Sequence, residues 1–281
     1  MIRQIVNCCI VASLLLFSEL AVGQAKPLEP ALLWEISGRD LARPSYIYGT
    51  IHMICEKDFF ISEKLKNAIG SVDEVVFELK LDDPGLDQKM KDAMTSAVPL
   101  AVRLGEPRYR MLDSIFRLKT NIALAKLQNM ELSALTMILS SIMLNCGQPT
   151  SYEKILLSMA KEHQKKVSGF ETVEAQMSFF KKAYTDSVLF NQLMDIDKGT
   201  LLSDKIVSLY KQQDLSGMYA LIDDALFKKW ILEIRNQNWL ALMPEIMRKN
   251  STLFAVGAAH LGGDFGLINS LKEMGYVIKP M

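Results

Sequence analysis

Phe254-Ala255-Val256-Gly257-Ala258-Ala259-His260-Leu261 is a short apolar run stopped by a glycine, with a histidine three residues later. Such a run reads as a buried strand reaching the edge of its sheet, where glycine lets the backbone turn or pack closely. Far upstream the pattern recurs, as Tyr46-Ile47-Tyr48 enters Gly49-Thr50-Ile51-His52. The two Gly-x-x-His segments hold two of the chain's three histidines. Placed side by side, the two strands aim both imidazoles into one crevice beyond the rim of the sheet, where open sheets usually bind ligands.

The flanking chain is read from its periodicity. Lys26 to Pro30 is an extended lead-in, Leu32 to Ile36 a strand, Ser37 to Asp40 a turn, and Ser45 to Tyr48 the returning arm of a hairpin. A helix from Ser62 and a strand from Asp73 to Leu79 complete a strand, helix, strand unit with its strands parallel. Glu78 stands out on that apolar strand. It is either a buried carboxylate that needs a cation, a metal or a proton, or a solvated residue of the Lys80 to Pro84 loop. From about Leu86 to Lys249 helical patterns dominate. Ile115 to Leu144 is one or two buried helices, Gly147-Gln148-Pro149 breaks them, and Ser151 caps a helix over Tyr152 to Lys166. His163, beside three lysines at that helix's C-terminal end, is a structural histidine. Val167 to Thr172 is a strand ending in Glu171, which alone reads as a solvated first-turn residue. Helices follow over Leu201 to Lys211, Leu215 to Leu221, Ala225 to Trp239 and Pro244 to Lys249, and Arg235, Asn236 and Trp239 share a face of the third. An isolated arginine there is ordinarily solvated. A helix over Leu267 to Met274 and a strand over Tyr276 to Ile278 close the chain. The expected class is α/β or α+β, a mixed central sheet built from N- and C-terminal segments around a mostly helical insertion over residues 86–249.

Composition bounds the function. With 281 residues, 49% of them hydrophobic, the chain can bury a full core. A formal charge of zero and no dense basic run exclude a nucleic-acid surface. The sixteen methionines read as core filler rather than an adaptable binding surface. Residues 1–25 have the form of a secretory signal: Arg3, an apolar region from Ile10 to Phe17, and small residues at Ala21-Val22-Gly23 or Gly23-Gln24-Ala25. The mature chain, 26–281, is then one exported domain, periplasmic or secreted, with no membrane span. Cleavage leaves Cys55 and Cys146, which form a disulfide or stay as two buried thiols. There is no His-Glu-x-x-His and no Gly-x-Ser-x-Gly, so neither a zincin helix nor a serine-hydrolase elbow is present.

Tyr48-Gly49-Thr50-Ile51-His52, Val75-Val76-Phe77-Glu78, Gly169-Phe170-Glu171-Thr172-x-Glu174-x-Gln176, Arg235-Asn236-x-x-Trp239 and Val256-Gly257-Ala258-Ala259-His260-Leu261 resemble the TraB/GumN family in type and order, from about Leu32 to the C-terminus. That family also holds the Tiki metalloproteases. The resemblance implies a fold similar to erythromycin esterase and ChaN-like proteins, and a divalent-metal site on His52, His260 and Glu78, with Glu171 a further carboxylate and Arg235 a nearby cation. Imidazoles and carboxylates together suit manganese, cobalt, zinc or iron rather than calcium. The expected activity is metal-dependent hydrolysis of a peptide or protein, with Glu78 or Glu171 moving the proton and Arg235 steadying the oxyanion. A non-catalytic protein that binds a peptide or haem is the competing expectation.

Overall fold

A computed structural model describes residues 27–144, 146 and 149–281. The proposed signal segment and the break at Gly147 and Gln148 lie outside them. Eight strands are present among the described residues: β1 (Leu33–Ser37), β2 (Ser45–Thr50), β3 (Ile54–Cys55), β4 (Glu74–Leu79), β5 (Pro149–Thr150), β6 (Lys166–Glu171), β7 (Thr252–Gly257) and β8 (Val277–Pro280). Six form one sheet in the order β6-β4-β7-β2-β1-β8, and β3 and β5 form a separate two-stranded ribbon.

The hairpin forms as expected, with β1 antiparallel to β2 in the register Leu33 to Tyr48. The two Gly-x-x-His strands are neighbours: β2 runs parallel to β7, with Gly49 opposite Val256 and Thr50 opposite Gly257. β4 is parallel to β7 and β6 is parallel to β4. The β2 to β4 unit therefore crosses over one position, and β7, arriving from the far end of the chain, fills the gap. Both faces of this parallel core are covered, which is why β4 and β7 are buried along almost their whole length. Gly49 allows the strands to meet so closely, since a Cβ there would come within 3.0 Å of the Ala258 Cα.

The helices are α1 (Glu63–Ser71), α2 (Leu86–Ala93), α3 (Leu100–Leu104), α4 (Glu106–Thr120), α5 (Leu132–Met143), α6 (Tyr152–Glu162), α7 (Val173–Ala183), α8 (Asp186–Met194), α9 (Ile196–Lys211), α10 (Leu215–Ala220), α11 (Ala225–Phe227), α12 (Ile234–Lys249) and α13 (Leu267–Glu273). α1 starts where Ser62 Oγ accepts the Leu65 N–H, and it buries Leu65, Ala68 and Ile69 on the sheet side. A second core lies inside the insertion, where Leu112 and Phe116 of α4 pack with Leu135 and Leu139 of α5 and with Leu189, Phe190 and Leu193 of α8. The Cys55–Cys146 disulfide ties this lobe to the segment after β2, with the Cα atoms 5.8 Å apart. Closing a loop across 91 residues contributes about 4–5 kcal/mol in the chain-entropy account.

Three expectations are corrected. Pro244 does not begin a helix, because α12 runs through it. A proline inside a helix costs about 3 kcal/mol, but Trp239, Met243 and Met247 bury one stripe on both sides of it and hold the helix together. Ser151 precedes α6 without capping it, and its hydroxyl bonds the Glu153 carboxylate instead. The helix also ends at Glu162 with exposed His163 as its C-cap, and Lys166 already belongs to β6.

Candidate active site

The carboxyl ends of β6, β4, β7 and β2 share one rim, and Glu171, Glu78, His260 and His52 stand at or just past those ends. The fifth residue comes from the helix packed across them. A π-helical segment, Lys228–Glu233, leads into α12 and sets the phase that buries Arg235, Asn236 and Trp239 together.

Arg235 is 3% exposed, so the solvated reading of it is overturned. Its Nη2 donates to Glu78 Oε2 at 2.6 Å, its Nε to both Glu171 oxygens at 3.0 and 3.1 Å, and its Nη1 to Ile231 O at 3.2 Å and to His260 Nε2 at 3.1 Å. The solvated reading of Glu171 falls for the same reason: its carboxylate is buried under the guanidinium and also accepts the Trp239 indole N–H at 2.9 Å. Buried charges persist only when paired and fully bonded, and these three residues satisfy one another. Glu78 is likewise the buried alternative. Its Oε1 accepts the Gly257 N–H at 2.8 Å and its Oε2 the Gln176 amide at 3.1 Å. Burial would raise its pKa, but Arg235, the two histidines and the Gly257 N–H together outweigh that and draw it down to about 2. Burial raises Glu171 even though Arg235 pulls the other way.

His260 sits on a short 3-10 turn after β7, against the Trp239 ring with centroids 4.4 Å apart. Asn236 Nδ2 donates to the carbonyls of His260 and Phe265, so its Oδ1 is the acceptor that faces His260 Nδ1 at 2.7 Å. Nδ1 therefore carries the hydrogen and Nε2 the lone pair. Burial and the Arg235 charge lower this imidazole to about 3, and it is neutral near pH 7.

His52 differs. Its side chain is 70% exposed, and its Nδ1 donates to Glu153 Oε1 at 2.9 Å. Desolvation would lower its pKa, but the hydrogen bond and charge of Glu153 prevail and raise it to about 9. The same carboxylate accepts Thr50 Oγ1–H and Ser151 Oγ–H, each at 2.8 Å. Glu153 is the site residue that the sequence reading missed. It looked like an ordinary first-turn glutamate of α6, and nothing local marks its contact with a histidine far upstream.

Among the described residues, no three His, Cys, Asp or Glu side chains gather closely enough to hold a metal ion. The donor types at the rim, two imidazoles and a carboxylate, are nevertheless those that a divalent transition-metal ion takes. Both histidines have Nδ1 bonded to an oxygen acceptor, as metal-binding histidines do, and an ion bound at Nε2 would displace the Arg235 Nη1–H bond to His260 and the Nε2 proton of His52. His260 Nε2 and Glu78 Oε1 are 3.9 Å apart, within the span of two ligands that each bind zinc at about 2.0–2.2 Å.

The search of curated proteins found no match, and neither did the search of solved structures. The family model described as the TraB/PrgY/gumN family matches residues 32–280, from the start of β1 to the end of β8 and through every rim residue named above. By that match the chain belongs to the TraB/PrgY/gumN family.

Proposed function

We propose that this protein is an exported, metal-dependent hydrolase of the metallopeptidase kind, reacting at the rim where β2, β4, β6 and β7 end. The observation that carries the reading is the gathering of both imidazoles and the ionised Glu78 at one rim, with each ring tethered through Nδ1, by Asn236 and by Glu153, and His260 Nε2 3.9 Å from Glu78 Oε1. His260, His52 and Glu78 would hold a divalent ion of manganese, cobalt, zinc or iron. When bound, such an ion supplies an acidified water, with a pKa lowered from about 15.7 toward about 7.

The chain's own groups do the rest. Arg235 keeps Glu78 ionised and offers a guanidinium to an oxyanion developing at the rim. Glu171 and Trp239 lock Arg235 from behind, and the Phe170 ring stacked on Trp239 closes that side to water. Export is supported by the form of residues 1–25 and by the Cys55–Cys146 bridge, which belongs to an oxidising compartment. No helix among the described residues is long and apolar enough to cross a membrane.

The test is metal analysis by mass spectrometry on protein lacking residues 1–25, beside His52→Ala, His260→Ala and Glu78→Gln. Stoichiometric manganese, cobalt, zinc or iron, lost in the histidine variants together with cleavage of unstructured peptides, is the expected result. Protein that takes up no metal at any supplied concentration overturns the reading, and a Soret band from haem-supplied cells points to the competing binder.

A further inference from the structure

We propose that Glu153 is the positioning residue for His52, holding its Nδ1–H so that Nε2 is the nitrogen presented at the rim. Among the described residues, Glu153 is the one side chain that hydrogen-bonds this ring. The ring is 70% exposed, so packing does not orient it, whereas the carboxylate is only 18% exposed and is itself fixed. Oε1 takes the hydrogens of Thr50 Oγ1 and His52 Nδ1, and Oε2 takes that of Ser151 Oγ. An ionised carboxylate only accepts, so the hydrogen in the His52 bond belongs to the ring.

The fold delivers Glu153 by a dedicated route. Ile54 and Cys55, just past His52, pair with Thr150 and Pro149 in the two-stranded ribbon. Ser151 and Glu153 follow directly, and the Cys55–Cys146 bridge staples the ribbon at its base. A glutamate in the first turn of a helix is often present only for the helix dipole. Here its oxygens bond the strand end and the histidine instead, which a dipole role does not require.

This inference rests on the proposed reading of His52 as a member of the reactive rim, but its test needs neither metal nor substrate. Long-range proton–nitrogen NMR on metal-free protein, at a pH above the ring's titration, reads which nitrogen of His52 is protonated, with the signal assigned by its loss in His52→Ala. Wild type and Glu153→Gln, which keeps an acceptor oxygen, are expected to show Nδ1–H. Glu153→Ala and Glu153→Asp are expected to shift His52 to the Nε2–H form while His260 stays unchanged. The aspartate keeps the charge on α6 but withdraws it from the ring, so it separates positioning from a helix-dipole role even if the alanine variant does not fold. Nε2–H in the wild type, or Nδ1–H retained in Glu153→Asp, overturns the proposal. Where a metal binds, Glu153→Asp should weaken it about 10–100-fold, the usual effect of losing such a partner. If no metal binds, the hydrolase reading fails and the NMR result stands by itself.

Discussion

The two Gly-x-x-His turns share a motif and a rim, yet their rings live in opposite surroundings. His260 is 4% exposed as a side chain, and burial together with Arg235 holds it neutral, down to about 3. His52 is 70% exposed, and Glu153, working against desolvation, holds its proton up to about 9. What the motif specifies is the approach. Gly49 lies against Ala258, and Gly257 donates its N–H to Glu78 while a Cβ there would come within 3.3 Å of that carboxylate. What each ring becomes is decided by the helix beside it, α12 for His260 and α6 for His52.

The difference can be broken most forcefully from the buried side. Arg235→Leu leaves Glu78 and Glu171 buried without their cation, and about 3–5 kcal/mol of unfolding free energy should be lost in urea titration. A loss under 1 kcal/mol, by the same reasoning, would mean that water reaches these carboxylates. Removing the rings themselves sharpens the contrast. His260→Ala opens a cavity and orphans Asn236 Oδ1, costing on the order of 2–4 kcal/mol. His52→Ala should stay within about 0.5 kcal/mol, as a surface change does. Equal costs would deny the asymmetry. The contact between the turns is probed by Gly49→Ala, which presses a methyl on Ala258 and should cost about 1–3 kcal/mol. Gly70→Ala, a helical glycine with open space around it, should instead stabilise by up to about 1 kcal/mol. Small as well is the pH response of the exposed pair. His52 has its folded pKa raised above the ordinary 6.5, so the His52–Glu153 pair contributes fully below about 6.5 and fades as the pH rises through about 9. Solvent screening keeps that contribution under about 1 kcal/mol, and an NMR titration of His52 in wild type and Glu153→Ala checks it.

Much of this was legible in the chain. The strands at Leu33, Ser45, Glu74 and Thr252 were visible as short apolar runs, because strands so largely buried cannot hide their composition. Glu78 was conspicuous because a charge on such a run demands an explanation. Arg235 and Glu171 were not legible by pattern alone, since a single arginine on a helix and a glutamate before one look solvated until the partner is known. Only their place in the family's ordered landmarks marked them. Glu153 had no such landmark, and Tyr210, whose hydroxyl donates to the Gly49 carbonyl from α9, likewise contacts the first turn from a distant helix. The passage of α12 through Pro244 was misread because local propensity opposes it, and only the buried stripe from Trp239 to Met247 overrules that preference.

By itself, then, the sequence determined the strands, the class of the fold, the family and the glycines that let the two histidine turns touch. These follow from local composition, from short-range steric limits and from landmarks kept in order. The tertiary structure alone decided that β7 enters between β2 and β4, that Arg235 is the buried cation of two carboxylates, and that one histidine is sealed while the other stands open on Glu153. The reason is electrostatic as much as geometric. A side chain's charge and exposure depend on which groups the fold brings within a few ångströms, and those groups lie far away along the chain.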